Sequence, residues 1–446
     1  MERADWQRTA TVYFPLVAAI VARLLTGPRP RQFAACLLSI LWTVPSLLAL
    51  QRWNEYADWW SFGSGSAAEF GGMPLELFFG WVIVWGLLPH LAFPGLGIIS
   101  SAALMVAIDC ILMPLTSSAV FLKPHWLMGE AVGVAMVLLP ALCLGRWTIE
   151  NTNLRGRAAL QIATSGLLFL FFIPEIIFAV YPGQGWTPML GLPSWVRQAS
   201  LQSVLLLALP GVFAVMEFVD RGQGTPIPYD PPQRLVTSGV YRYCANPMQL
   251  SCALVMLAWA GILRNGWMLL ATGMSVVYSA GIAEWDEKED LSRRFGTDWR
   301  DYRSSVGIWW PRWTPYHTGS PAIIYIAGTC GLCSEVRAWL EQRMPTGLQI
   351  IDAETLPPDS IRRVRYNPGD GSEAVEGVRA IGRALEHLHL GWALLGMSLR
   401  LPVLWRIIQL LMDATGLGPR SIASNTDHLI PQEAPGCVSR RSRESD

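Results

Sequence analysis

Nine apolar runs, each close to the length of one bilayer crossing, follow one another through roughly the first 280 residues. They centre near residues 18, 41, 84, 106, 138, 170, 208, 256 and 275. A crossing takes about 20 predominantly apolar residues, and a helix spans lipid because it satisfies its own backbone hydrogen bonds. The pattern predicts an all-α polytopic membrane bundle of about nine transmembrane helices. Pro94 separates the third run from the fourth. Arg264-Asn265-Gly266 separates the eighth from the ninth so briefly that those two read as a tight hairpin. Composition agrees: 52% of the 446 residues are hydrophobic, only 15% are charged, and 21 are Trp, a balance unsuited to a soluble enzyme. A formal net charge of zero gives no basic field for nucleic acid. The opening MERADWQR mixes charges and no small-residue cleavage site follows, so the first run reads as a retained helix.

Loop charges orient the array. Arg29, Arg31, Arg146, Arg155, Arg157, Arg221, Arg234 and Arg242 fall on one side. Arg52, Lys123 and Arg197 fall on the other, with Glu55, Asp58 and Glu69. The positive-inside rule makes the first side cytoplasmic and puts the C-terminus inside, as in a multi-pass protein of a bacterial inner membrane. Glu76, His90, Asp109, Glu175 and Glu217 lie within apolar runs, where ionisable groups are costly. Each is either functional or paired within the bundle or near an interface. Trp186 and Trp195 read as interfacial anchors.

The most informative stretch is residues 222 to 315. A proline-rich loop leads into the hairpin, and a charged amphipathic segment leaves it. Because the hairpin crosses twice, loop and charged segment share one side of the bilayer, which places Tyr241, Arg242, Asn246 and Glu287 within mutual reach. Gly224-Thr225-Pro226-Ile227-Pro228, Leu235-Val236, Gly239-Val240-Tyr241-Arg242 and Asn246-Pro247 come in order. After the hairpin come Glu287, Leu291, Phe295-Gly296, Trp299 and Tyr302. This succession resembles the isoprenylcysteine carboxyl methyltransferase and phospholipid methyltransferase group of integral membrane enzymes, over about a fifth of the chain. The resemblance implies binding of S-adenosylmethionine at the cytosolic face and methylation of a lipophilic acceptor entering from membrane lipid.

Residue chemistry is compatible with that cofactor. Arg242 suits its carboxylate, Glu287 its amino group, and Tyr241 or Trp299 its sulfonium. Blander roles compete: Arg242 as a positive-inside anchor, Glu287 as a solvated helix face, Asn246-Pro247 as a helix start. The chain departs from the group's pattern at Ala245 (Arg), Gln249 (Tyr) and Lys288 (a second acid, unless Asp286 supplies it).

Beyond Pro315, residues 320 to 420 read as a small α/β thioredoxin-like domain. PAIIYIA and LQIIDAE are strands, and Asn-Pro-Gly-Asp-Gly turns a hairpin. VRAIGRALEHL and LPVLWRIIQLLMDAT are helices, and residues 421 to 446 form a disordered tail. Of eight cysteines only Cys330 and Cys333 form a close pair, after a strand and opening a helix. The helix dipole favours Cys330 as the attacking thiolate, and Cys333 would resolve a mixed disulfide. Half of a zinc site is the alternative, but no second Cys or His pair has suitable spacing. His387 and His389, expected on a helix, would face different sides. The region resembles the DCC family of thiol-disulfide oxidoreductases through Gly328-Thr329-Cys330-Gly331-Leu332-Cys333, Gly377, Ala380 and Leu401-Pro402. The Asp of that pattern is Ala327 here.

The expected organisation is a transmembrane region at 1–221, a methyltransferase-like core at 222–317, and a redox domain at 320–420. The leading function is methyl transfer to a lipophilic acceptor. The rivals are a membrane-tethered thiol-disulfide oxidoreductase with a thiol reductant as partner, and a transporter or sensor using Asp109 and Glu175.

Overall fold

The computed structural model describes residues 3–27, 31–63, 66, 68–117, 119–181, 183–226, 230–357 and 360–419. Of residues 3–5, 8, 115, 278, 282–287, 416 and 417 only the backbone is described. The expected tail at 421–446 lies outside the described residues. Helices form at all nine apolar centres, but among the described residues six are long and apolar enough to cross a membrane. These are Thr9–Thr26, Gln32–Ala57, Leu75–Ala92, Trp126–Glu150, Leu154–Val180 and Ser194–Gly222. A bent C-terminal helix pair makes seven if counted as one span.

The other three runs fold as shorter pieces, Ile98–Leu115, Pro247–Ile262 and Gly266–Tyr278. Local chemistry limits the last two. Pro247 sits in the first turn, where its missing N–H costs nothing. Arg264 turns left-handed at φ 52°, and the Asn265 side chain accepts from Trp267 N and Met268 N to start the next helix. That helix runs on through Ser279–Ala283 into the charged Glu284–Ser305 segment. At Gly296 a backbone of φ 55°, ψ −120°, open only to glycine, breaks it.

By packing, the chain divides into two units: Met1–Tyr241 with Ala245–Ser304, and Arg242–Cys244 with Ser305–Asp446. The first buries Leu48, Trp85, Met105, Leu138 and Leu142 at one centre, and Val204, Met256, Trp259 and Met268 at another. Two short antiparallel ribbons decorate it, Trp60–Phe62 with Val120–Leu122 and Glu69–Phe70 with Met73–Pro74. Hydropathy alone does not show either.

The second unit holds a four-stranded sheet. Ala322–Ile326 pairs in parallel with Leu348–Asp352 through the helix Gly331–Glu341, and antiparallel with Arg365–Asn367, which pairs with Val375–Glu376. Helices Val378–Leu385, Leu390–Leu399 and Leu404–Met412 follow. The first ends at Leu385, so His387 and His389 are not on a helix as expected; they sit in the connection, with His389 capping the next helix. The Arg242–Cys244 segment is bound into this unit, with Arg312 N donating to Tyr243 O and Tyr316 N to Arg242 O, both at 2.9 Å.

Candidate functional site

Asp230 organises the proline-rich loop of the first unit. Its carboxylate takes Arg31 at 2.7 Å on one oxygen and Arg157 at 2.7 Å on the other. Asn151 Oδ1 accepts from both arginines, from Arg157 at 3.2 Å. The loop closes on itself, with Thr225 N donating to Asp230 O at 2.9 Å and Gln233 N to Gly222 O at 2.7 Å. Gly224 is required there, since a Cβ would come within 2.7 Å of the Asp230 carbonyl oxygen. Arg294, from the charged helix, donates to Pro232 O. The Thr225 hydroxyl is buried and has no partner among the described residues. Ile227 and Pro228 of the motif lie outside the described residues.

Past the loop, a 3-10 turn Gly239–Arg242 sits over a buried acid. Glu217, 1% exposed, accepts from Ser238 Oγ at 2.8 Å. Phe218 sets its ring 5.5 Å from Tyr241, and the Tyr302 hydroxyl donates to Tyr241 O at 2.8 Å. The break at Gly296 lies between Arg294 and Tyr302, so the two halves of the charged segment reach separate targets. Trp299 lies beside Tyr302 at 6.0 Å and under Arg303 at 5.6 Å. Asn246 Nδ2 donates to Gln249 Oε1 at 3.2 Å, and Pro247 opens the first hairpin helix. The side chain of Glu287 lies outside the described residues. The structure thus gathers Tyr241, Glu217, Ser238 and Tyr302.

Arg242 belongs to the second unit. Its Nη1 lies 3.1 Å from His387 Nδ1. His387, fully buried, has Nδ1 at 2.8 Å from Thr346 O and Nε2 at 2.9 Å from the Tyr366 hydroxyl. One neutral tautomer satisfies both: Nδ1–H donates to Thr346 and Nε2 accepts from Tyr366. Arg242 is then a cation in contact with the ring. Burial, and after it the Arg242 charge, push the His387 pKa well below the ordinary histidine range.

The other ionisable residues of the apolar runs have partners. Glu175 takes Arg52 at 2.6 Å and the Trp186 indole N–H at 2.8 Å. Asp109 accepts from Trp85, and Ser66 donates to Glu76 at 3.0 Å. His90 shares a hydrogen bond with Ser39 at 2.8 Å. Glu130, buried on Trp126–Glu150, is an acid that sequence reading passed over.

In the second unit Cys330 is the N-cap of Gly331–Glu341 and Cys333 lies in its first turn, both half-buried. Glu354, after the second strand, accepts from Gly328 N at 3.1 Å, Thr329 N at 3.0 Å and Thr329 Oγ1 at 2.9 Å. Burial alone would raise its pKa; the Gly328 and Thr329 amides outweigh burial and hold the carboxyl below its usual range. Sequence spacing gives no sign of this carboxylate. Among the described residues no group of three or more His, Cys, Asp or Glu is arranged to hold a metal.

Residues 201–298 match the sequence profile of the phospholipid methyltransferase family. The match runs from the helix Ser194–Gly222 through the loop and hairpin into the charged helix, and stops short of the cysteine pair. It supports a methyltransferase-like function in a membrane for that segment. No curated protein and no solved structure matches the chain.

Proposed function

We propose that this chain is an integral membrane methyltransferase that uses S-adenosylmethionine to methylate a lipophilic acceptor at the cytoplasmic face. The carrying observation is the family match at 201–298 on a segment folded around Tyr241. The residues present suit the cofactor. The buried Thr225 hydroxyl has hydrogen-bonding capacity to spare. Tyr241 offers an aromatic ring and Asn246 at Pro247 an amide; Glu287 is the acid for the amino group.

When bound, the cofactor supplies an already activated methyl carbon. The chain's own part is to orient the acceptor and exclude water, without a dedicated nucleophile. Arg242 remains the candidate for the cofactor's carboxylate, and its contact with His387 gives it a competing structural role. Arg242→Ala separates the two, by lowering cofactor affinity or by loosening the C-terminal unit. A phospholipid, an isoprenylated peptide, a quinone precursor or a small hydrophobic thiol would each fit a bilayer-borne acceptor.

The test is transfer of labelled methyl from S-adenosylmethionine into the organic phase by protein reconstituted in vesicles of lipid extract. Label lost in Tyr241→Ala and Glu287→Ala supports the reading. No label with folded wild type sinks it.

One observation favours a second activity. Cys330 and Cys333 open the helix of a parallel β-α-β unit, the setting in which Cys-x-x-Cys acts as a dithiol. A thioredoxin-like, DCC-type domain in a reducing cytoplasm would exchange disulfides there with a thiol reductant.

A further inference from the structure

The helix Leu404–Met412 is built inside out. Gln409 and, just past the helix end, Asp413 point inward: Val378 N donates to Gln409 Oε1 at 3.0 Å, Gln409 Nε2 to Asp413 at 2.9 Å, and Arg363 pairs with Asp413 at 2.7 Å. On the opposite arc Val403, Leu404, Ile407, Leu410 and Leu411 are 37 to 69% exposed. A helix on a water-facing surface turns its polar side out. Inverted polarity of this kind is stable where the outer medium is itself apolar.

The pair Leu390–Leu399 and Leu404–Thr415 is apolar enough to pass for a span bent by 84°, but packing argues otherwise. Gly396 presses on Gly382 of the preceding helix so closely that a Cβ would overlap its carbonyl oxygen, and Ala393 and Met397 are fully buried. The first member is therefore part of the C-terminal core. Alone, the second, Leu404–Thr415, is about 18 Å long at 1.5 Å per residue, short of the roughly 30 Å hydrocarbon layer.

The charges beside the apolar face name its partner. Trp405 lies under Arg406 at 5.1 Å and under Arg379 at 5.7 Å, and both arginines are solvent-exposed. An indole with two cations beside an aliphatic face is the side-chain set of a headgroup interface. Among the described residues the same chain has six helices long and apolar enough to cross a membrane, and a bilayer holding them would be tethered to this unit at high effective concentration.

We propose that Leu404–Met412 is an interfacial helix that lies in the headgroup region of an anionic bilayer. Val403, Leu404, Ile407, Leu410 and Leu411 are sunk toward the acyl chains, and Arg379 and Arg406 meet lipid phosphates. The inference is independent of either proposed activity.

The test uses the full chain in vesicles of phosphatidylcholine with phosphatidylglycerol, carrying photoreactive p-benzoylphenylalanine in place of Leu410. A second preparation carries it at the exposed Glu341. Irradiation should give lipid adducts at 410 and few at 341. The yield at 410 should fall severalfold without phosphatidylglycerol or in Arg379→Gln/Arg406→Gln. Leu410 is exposed, so its replacement leaves the fold intact. Adducts at 410 to a second copy of the chain, or none to lipid, would overturn the proposal.

Discussion

Ser238 donates its hydroxyl to Glu217 Oε2 at 2.8 Å, and the residue that follows it, Gly239, lies against the same carboxylate side chain. Gly239 has φ +57°, and a Cβ there would stand 2.5 Å from Glu217 Cγ. Both constraints act on the turn that carries Tyr241. Gly239→Ala is expected to cost about 1–3 kcal/mol through left-handed strain and the clash. It should lower the denaturation midpoint in detergent and weaken cofactor binding. Glu217→Gln keeps the shape and an acceptor for Ser238, so it should be milder. Equal loss in the two variants would contradict this account of the turn.

The Asp230 clamp gives a second expectation. Arg157 has 3% side-chain exposure and Arg31 has 29%. Asp230→Ala strands a buried guanidinium and should cost about 3–5 kcal/mol, the range for breaking a buried pair from one side. Arg31→Ala leaves Asp230 its deeper partner and should cost about 1 kcal/mol or less. Denaturation curves of the two variants in one detergent check the order; a larger effect at Arg31 would refute it.

Glu354 links pH to the cysteine loop. Its carboxyl is held below the usual value of about 4.3. The latch on Gly328 and Thr329 therefore contributes stability above that pH and is lost as pH falls through the lower folded value. Glu354→Gln removes a negative charge from the loop bearing Cys330, which favours the thiolate. Alkylation of Cys330 by iodoacetamide near pH 7 should quicken about two- to tenfold, with its pH midpoint moved down. An unchanged profile would show that Glu354 does not act on the thiol.

The pair itself should behave asymmetrically. Cys330→Ser is expected to abolish exchange with a small disulfide substrate, whereas Cys333→Ser should trap a mixed disulfide on Cys330. Mass spectrometry of the adducts reads this out. Trapping on Cys333 in Cys330→Ser would reverse the roles.

The β-α-β unit around Cys330 was legible because its signals are local: a short apolar strand, a turn, an amphipathic helix. The hairpin joining Arg365–Asn367 to Val375–Glu376 was announced by its own Asn-Pro-Gly-Asp-Gly. What stayed hidden depends on partners distant in sequence. Arg31 and Arg157 read as positive-inside charges, yet both hold Asp230. Glu175 read as a candidate functional acid and is paired with Arg52 and Trp186. Arg242 read as a cofactor ligand and lies against His387, 145 residues away. Nine apolar runs are not nine long spans because apolar length does not fix helix length: one hairpin helix begins at Pro247 and, with the Arg264 turn that the sequence does show, ends after 16 residues.

The most direct measurement is calorimetric titration of S-adenosylmethionine into the purified full-length protein in lipid nanodiscs, beside Tyr241→Ala and Glu287→Ala. The account predicts saturable one-to-one binding in the micromolar range, weakened at least about tenfold in both variants, that is by about 1.4 kcal/mol. Absence of binding by folded wild type would contradict the central claim and leave Cys330 and Cys333 as the centre of this chain's chemistry.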